Sequence, residues 1–262
     1  MTLPDALYLP DGALFVPTAL TIGPWSAQLQ HGGPPSGLLA RALATHGEDA
    51  DAFDLLRLTV DLLRPIPLVP MRVRVDVLRA GREAHWLTGT LEDRDGRTLA
   101  VGHGLRVRRV DLDLPPPHTP PREPPAPPES VPASTFDFFP ADVAFHRAVD
   151  ARIVAGTWPR GPVTGWLRPV VPLVAGEAWL PMARVMTVTD ALNGVAPAVS
   201  APGVTFPNAE LAVHLRRPPR GEWTALQARS TPERTGSGLA QATLFDLDGE
   251  LGVALETLVV RG

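Results

Sequence analysis

Two short stretches hold side chains whose types and spacing can do chemistry. One is His31-Gly32-Gly33, directly ahead of an apolar helical run. The other is Asp190, at the start of a second apolar, helix-like stretch that is broken at Pro197. A carboxylate such as Asp190 can take a proton from an attacking water. Peptide amides at a helix start favour negative charge, so the turns at Gly32-Gly33 or near Asp190 can hold a developing oxyanion. The plainer roles are a helix cap for Asp190 and an exposed or structural loop residue for His31. His85, His103 and His214 alternate with apolar neighbours and lack the spacing of metal ligands, so they read as strand residues. The chain has no cysteine, which excludes a thiol nucleophile, disulfides and cysteine metal sites.

The elements that must position these groups follow from periodicity. Leu38, Leu39, Ala42 and Leu43 share one stripe of a helix, with Ser36 as its expected N-cap. So apolar a helix needs wrapping, and strand-like sequence follows it. Leu58, Val60 and Leu62 alternate up to Arg64-Pro65, where proline ends the ladder. Met71–Leu78, His85–Glu92 and Leu99–Val110 are three further strands, the last with Val101, His103, Leu105 and Val107 on one face. Asp93-Arg94-Asp95-Gly96 is a hairpin turn. The expected unit is one central helix gripped by four antiparallel strands. Trp158, Trp166 and Trp179 read as packing residues, with a tunnel lining as the alternative.

Pro115–Pro132 holds ten prolines in eighteen residues and no hydrophobic period, which marks an extended, stiff linker. Beyond it the pattern repeats. LTVDLLRP at Leu58–Pro65 matches LAVHLRRP at Leu211–Pro218, an offset of 153. The same offset carries Thr90-Leu91 onto Thr243-Leu244, and Asp93, Asp95 and Gly96 onto Asp246, Asp248 and Gly249. The repeated unit is domain-sized, so the expected organisation is residues 1–112, a linker over 113–135, and residues 136–262.

One helix in four or five antiparallel strands, present twice, resembles the fused, double form of the hotdog fold, an α+β architecture. The glycine-headed helix, the Arg-Pro strand ends and the Asp-x-Asp-Gly hairpin look like the acyl-CoA thioesterase II type. That resemblance implies hydrolysis of an acyl-CoA thioester to a free acid and CoA, without metal or cofactor. It implies a catalytic aspartate at Asp190, a hydroxyl residue before the strand ending in Arg-Pro, and a glutamine in the last strand. Counting back from Arg217-Pro218 and from Arg261 places Asn208 and Glu256 at the latter two positions, so both depart from the pattern. His31, Gly32 and Gly33 are the expected substrate-binding residues. A second carboxylate beside Asp190 would raise one of the two pKa values. The first helix holds no carboxylate, so one site per chain is expected. The departures favour a second reading, a non-catalytic acyl-CoA or lipid-binding protein. A dehydratase or hydratase would need an aspartate–histidine pair, and none is visible at matched spacing.

Composition bounds the partners. The chain has 262 residues, 44% hydrophobic and 20% charged, with a formal net charge of −4. No basic run is long enough for nucleic acid, and Arg106–Arg109 reads as one solvated face. The N-terminal MTLPDALYLP lacks the pattern of a signal peptide, and no apolar run approaches ~20 residues. A cytoplasmic protein is expected, as a monomer or a homodimer of double hotdogs.

Overall fold

Two short strands, β1 (Tyr8–Asp11) and β2 (Leu14–Pro17), lead into helix α1, Gly33–Thr45. The computed structural model describes residues 3–262, so the first two residues of the N-terminal stretch lie outside it. The helix begins earlier than a Ser36 cap would place it. Pro34 and Pro35 occupy its first turn, where a missing amide costs nothing. Ser36 is therefore inside the helix, and its hydroxyl donates to the Gly32 carbonyl at 2.8 Å. Leu38, Leu39, Ala40 and Leu43 are buried by four antiparallel strands: β3 (Phe53–Leu62), β4 (Met71–Ala80), β5 (Ala84–Asp93) and β6 (Thr98–Arg108).

Val101, His103, Leu105 and Val107 do share a face of β6, and it is the outer one. The inner face carries Ala100, Gly102 and Gly104. An added Cβ at Gly104 would stand 3.2 Å from Leu43, so the absent side chain lets the helix lie close to the sheet. Arg106 also points inward, at 2% exposure, which corrects the reading of Arg106–Arg109 as one solvated face. Alternation along β6 turns Arg106 toward the end of α1. There it donates to the His46 carbonyl at 2.8 Å, an acceptor left over where the helix stops, and lies 3.0 Å from His85 Nδ1.

The second half repeats this plan. Strands β7 (Val149–Thr157) and β8 (Arg160–Pro169) lead to α2 (Pro181–Thr189) and the single turn α3 (Leu192–Val195). Strands β9 (Glu210–Leu215), β10 (Thr224–Pro232), β11 (Ser237–Asp246) and β12 (Gly249–Val259) follow. β5 and β11 have the same length and begin at Ala84 and Ser237, the expected offset of 153. The twelve strands of the described residues form one sheet, ordered β1-β2-β4-β5-β6-β3-β9-β12-β11-β10-β8-β7. Its centre is the antiparallel pair β3–β9, with Leu58 opposite Val213 and Val60 opposite Leu211, all four fully buried. The repeated segments are thus equivalent strands, joined at the molecule's midline. The two helices also touch. A Cβ on Gly33 would collide with the Thr187 carbonyl, and one on Gly37 with the Thr187 hydroxyl.

The repeated Arg-Pro and Asp-x-Asp-Gly motifs meet in space only in the second half. Buried Asp246 accepts two hydrogen bonds from Arg217, at 2.6 and 2.5 Å, and the amides of Arg220 and Asp248, both at 2.9 Å. In the first half Asp93 accepts from the amides of its own turn, while Arg64 donates to the Thr98 carbonyl.

The proline-rich segment is extended apart from one turn at Pro128–Ser130, but it is more than a spacer. It lies strapped over the outer face of the second half. Arg122 bonds Gln227 and Thr243 at 3.2 Å each, and the Ala126 carbonyl accepts from Trp166 Nε1 at 2.8 Å. Trp166, Phe245 and Trp223 form an outward-facing apolar cluster that needs this cover. Among the described residues no helix is long and apolar enough to cross a membrane.

Candidate active site

Asp190 stands at the end of a helix, not at the start of one. The segment that reads as mixed, Pro181–Val188, is itself helical because Pro181 opens its first turn, and Asp190 is the C-cap of α2. The apolar stretch after it makes only the single turn α3. The helix start that faces Asp190 belongs to α1. A Cβ on Gly32 would lie 2.8 Å from Asp190 Oδ1 and 2.9 Å from Oδ2. Glycine therefore lets the amide-rich, positive end of α1 approach the carboxylate.

Asp190 is 4% exposed and held from two sides. Asn208, just before β9, donates from Nδ2 to Oδ1 at 2.8 Å. His31 Nδ1 is 2.8 Å from Oδ2. The same nitrogen lies 3.1 Å from the Gly33 amide. One nitrogen cannot both donate to a carboxylate and accept from an amide. An unprotonated Nδ1 would set a lone pair against Oδ2, so the proton is assigned to Nδ1, donating to Asp190. The Gly33 amide is then left without that acceptor. An aspartate–histidine pair is thus present after all. Spacing along the chain does not reveal it, because each partner comes from a different half.

Glu256 is fully buried on the inner face of β12, and neither carboxyl oxygen has a hydrogen-bond partner. Burial pushes its pKa well above the usual carboxylate range, and the negative charge of Asp190 adds to this. Asp190, Asn208, His31 and Gly32 line a cleft of about 380 Å³ with Trp25 at its rim, the indole set edge-on to Phe206. Glu256 does not line this cleft and sits behind its wall. At the repeat offset Asn208 corresponds to Leu55. The strand registers place Gly104, opposite Leu87, where Glu256 stands opposite Ala240. The first half therefore lacks these side chains. Among the described residues no group of three or more His, Cys, Asp or Glu could hold a metal ion.

The raised pKa of Glu256 makes stability depend on pH. Between the ordinary carboxylate value and the raised one, the folded chain keeps a proton that the unfolded chain has released. Stability therefore falls as pH rises through that window. Glu256→Gln removes this dependence. The variant is expected to melt above wild type at pH 8, with the gap closing near pH 4. Parallel melting curves across that range would contradict it.

Some residues beside the site carried no sequence signal. Phe136, Phe138 and Phe139, at the end of the proline-rich segment, line a small chamber that His31 also borders, and Phe145 packs against the His31 ring. An F-x-F-F run in an irregular segment has no period to mark it. Of the tryptophans, Trp158 stacks in this aromatic group, whereas Trp166 and Trp179 are anchored by hydrogen bonds to backbone carbonyls away from it.

Two helices held back to back inside one shared antiparallel sheet, with a buried carboxylate between them, define a double hotdog protein. Solved structures bear this out at the level of fold. A hotdog-fold protein from Alicyclobacillus acidocaldarius superposes with a TM-score of 0.72 at 18% identity, covering 98% of this chain and 97% of its own. The acyl-CoA thioesterase II TesB2 of Mycobacterium marinum superposes with a TM-score of 0.68 at 16% identity, covering 96% and 94%. A TesB protein from Mycobacterium avium subsp. paratuberculosis gives 0.66 at 19% identity, covering 95% and 93%. A search of curated proteins gave no match. Residues 21–107 match the acyl-CoA thioesterase N-terminal domain and residues 117–256 the acyl-CoA thioesterase C-terminal domain. The chain belongs to the acyl-CoA thioesterase family.

Proposed function

We propose that the protein hydrolyses an acyl-CoA thioester to the free acid and CoA, with Asp190 as general base. The observation that carries this reading is the setting of Asp190. Its two oxygens are fixed by Asn208 and His31 at the wall of a cleft, against the start of α1. Water attacks the thioester carbonyl carbon as Asp190 takes its proton. The carbonyl oxygen gains negative charge and is held by amides at the α1 start, Gly33 first among them. The carbon–sulfur bond then breaks, and the leaving thiolate takes up the proton that Asp190 accepted, which gives CoA and restores the carboxylate. Asn208 stands where the family has a hydroxyl and acts by orienting the carboxylate. Glu256 stands where the family has a glutamine, but it is sealed behind the cleft wall without a hydrogen-bond partner, so this mechanism gives it no contact with the substrate.

Release of free thiol from acyl-CoAs of graded chain length tests this directly. Turnover above the uncatalysed rate is expected for at least one of them. Binding of acyl-CoA with no thiol released would favour the non-catalytic reading. The His31–Asp190 contact favours one further reading, addition of water across an enoyl-CoA double bond or its reverse. Loss of enoyl absorbance with no free thiol would support that reading against hydrolysis.

A further inference from the structure

The two halves carry opposite charge at matched positions, and one of those positions lines the cleft. At the 153-residue offset Arg64 corresponds to Arg217, Arg94 to Leu247 and Arg97 to Glu250. Positions 64, 93, 94, 95 and 97 sum to +1, whereas 217, 246, 247, 248 and 250 sum to −2. The paired arginines are also held differently. Arg217 is tied to Asp246 by two hydrogen bonds. Arg64 is exposed, lines the cleft and donates from Nε to the Thr98 carbonyl at 3.2 Å, which leaves its two Nη groups without a hydrogen bond among the described residues. That bond sets Arg64 beside the β5–β6 hairpin, one residue from Arg97. The nearby carboxylates are engaged elsewhere: Asp93 accepts from the amides of its own turn, and Glu92 pairs with Arg72. Arg64, Arg94 and Arg97 are thus all exposed, and none forms an ion pair among the described residues.

We propose that Arg64 and Arg97 anchor the phosphates of CoA, and so select CoA thioesters over thioesters of the bare pantetheine arm. This rests on the reading of the cleft as an acyl-CoA site. Apart from Arg64, the cleft-lining side chains that can carry charge are Asp190 and His31. A phosphate placed beside the buried Asp190 carboxylate would lose its water and face a like charge. With the thioester at Asp190, the phosphates therefore belong at the exposed cation of the same cleft. The guanidinium fork suits them, because two parallel N–H groups match two phosphate oxygens. The whole chain carries a net charge of −4, so attraction of a polyanion has to come from such a local cationic patch. The second half has lost this device: its arginine is locked by Asp246, and Glu250 replaces the second cation. The anchor therefore accompanies only the cleft that holds Asp190.

Calorimetric dissociation constants of CoA, dephospho-CoA and pantetheine test this without turnover. Wild type is expected to bind CoA more tightly than pantetheine, with a gap that narrows as salt is raised. Arg64→Ala and Arg97→Ala should each weaken CoA roughly 2- to 10-fold more than pantetheine, the span of an exposed charge-assisted contact. The same ratio is expected between the KM values of an acyl-CoA and its acyl-pantetheine, with the loss in KM and not in kcat. Arg160→Ala removes an equal charge from the exposed start of β8, outside the cleft, and should bind CoA as wild type does. Dephospho-CoA that follows CoA assigns the contact to the diphosphate, and one that follows pantetheine assigns it to the 3′-phosphate; either supports the anchor. Equal wild-type affinity for CoA and pantetheine, equal losses on both ligands in the two variants, or an equal CoA loss in Arg160→Ala overturns it. Turnover of acyl-CoA without phosphate dependence keeps the thioesterase reading and removes the anchor. Phosphate-dependent CoA binding with no turnover of any thioester does the reverse. If Arg64→Ala fails to melt cooperatively, Arg97→Ala and the wild-type comparison still decide.

Discussion

Asp190→Asn should lose roughly 10²–10⁴-fold in kcat on any acyl-CoA the wild type hydrolyses, the contribution of a positioned general base. Its KM should move little, because proton removal belongs to the transition state and not to ground-state binding. The substitution is nearly isosteric. The retained amide oxygen still accepts from Asn208, and His31 meets the new NH₂ by moving its proton to the other ring nitrogen. The fold should therefore survive, with melting close to wild type. His31→Ala is expected to cost less, since it removes one of two groups that orient the carboxylate. A kcat for Asp190→Asn within threefold of wild type, with thiol release still enzymatic, would remove Asp190 from the mechanism.

The largest expected effect on stability lies away from the cleft. Asp246→Ala leaves the Arg217 guanidinium and the amides of Arg220 and Asp248 without their shared acceptor. Breaking such a pair from one side costs about 3 kcal/mol, since what remains is an unpaired charge at a buried site. In a chain of this size that lowers Tm by about 6–12 °C. Part of Arg217 reaches solvent, so the lower end is expected. The pH dependence runs opposite to that of Glu256. Burial pushes the Asp246 carboxyl up, but the Arg217 hydrogen bonds, the Arg220 amide and the Arg217 charge outweigh it and hold it below the usual range. Its stabilisation is present above the ordinary carboxylate value and is lost as pH falls through the lower, folded one. The variant should therefore lose less stability than wild type on acidification below pH 4. A Tm within 1 °C of wild type would show that the repeated motif is turn chemistry alone.

These two carboxylates mark what can be read along a chain and what cannot. Alternation has a period of two residues, so β5 and β11 could be aligned at one offset without knowing which strands pair. Proline and glycine act within a turn, so the ladder end at Arg64-Pro65 and the hairpin at Gly96 were equally plain, the latter confirmed by a φ of +81°. From these local rules the duplicated helix-in-sheet plan followed, and with it the family resemblance. Local rules also misled where two of them competed. Ser36 looks like a cap, but Pro34 and Pro35 are better first-turn residues, and the helix starts ahead of all three. The same effect at Pro181 moved Asp190 from a helix start to a helix end.

Which residues face one another was settled only by packing. Arg106 is buried because the sheet curls its inner face toward the end of α1, and no charge pattern along β6 encodes that curl. The Phe136–Phe139 run lines a chamber because the strap that carries it is pinned by Arg122 and Trp166. His31 reaches Asp190 because Gly32, Gly33 and Gly37 let α1 and α2 approach to backbone contact. On its own, the sequence determined the two halves, their strands and the residue types available for catalysis, since each depends on neighbours within a few positions. Tertiary structure decided that His31 and Asn208 share one carboxylate while Glu256 is sealed behind it, since those contacts depend on how closely two distant helices meet inside one sheet.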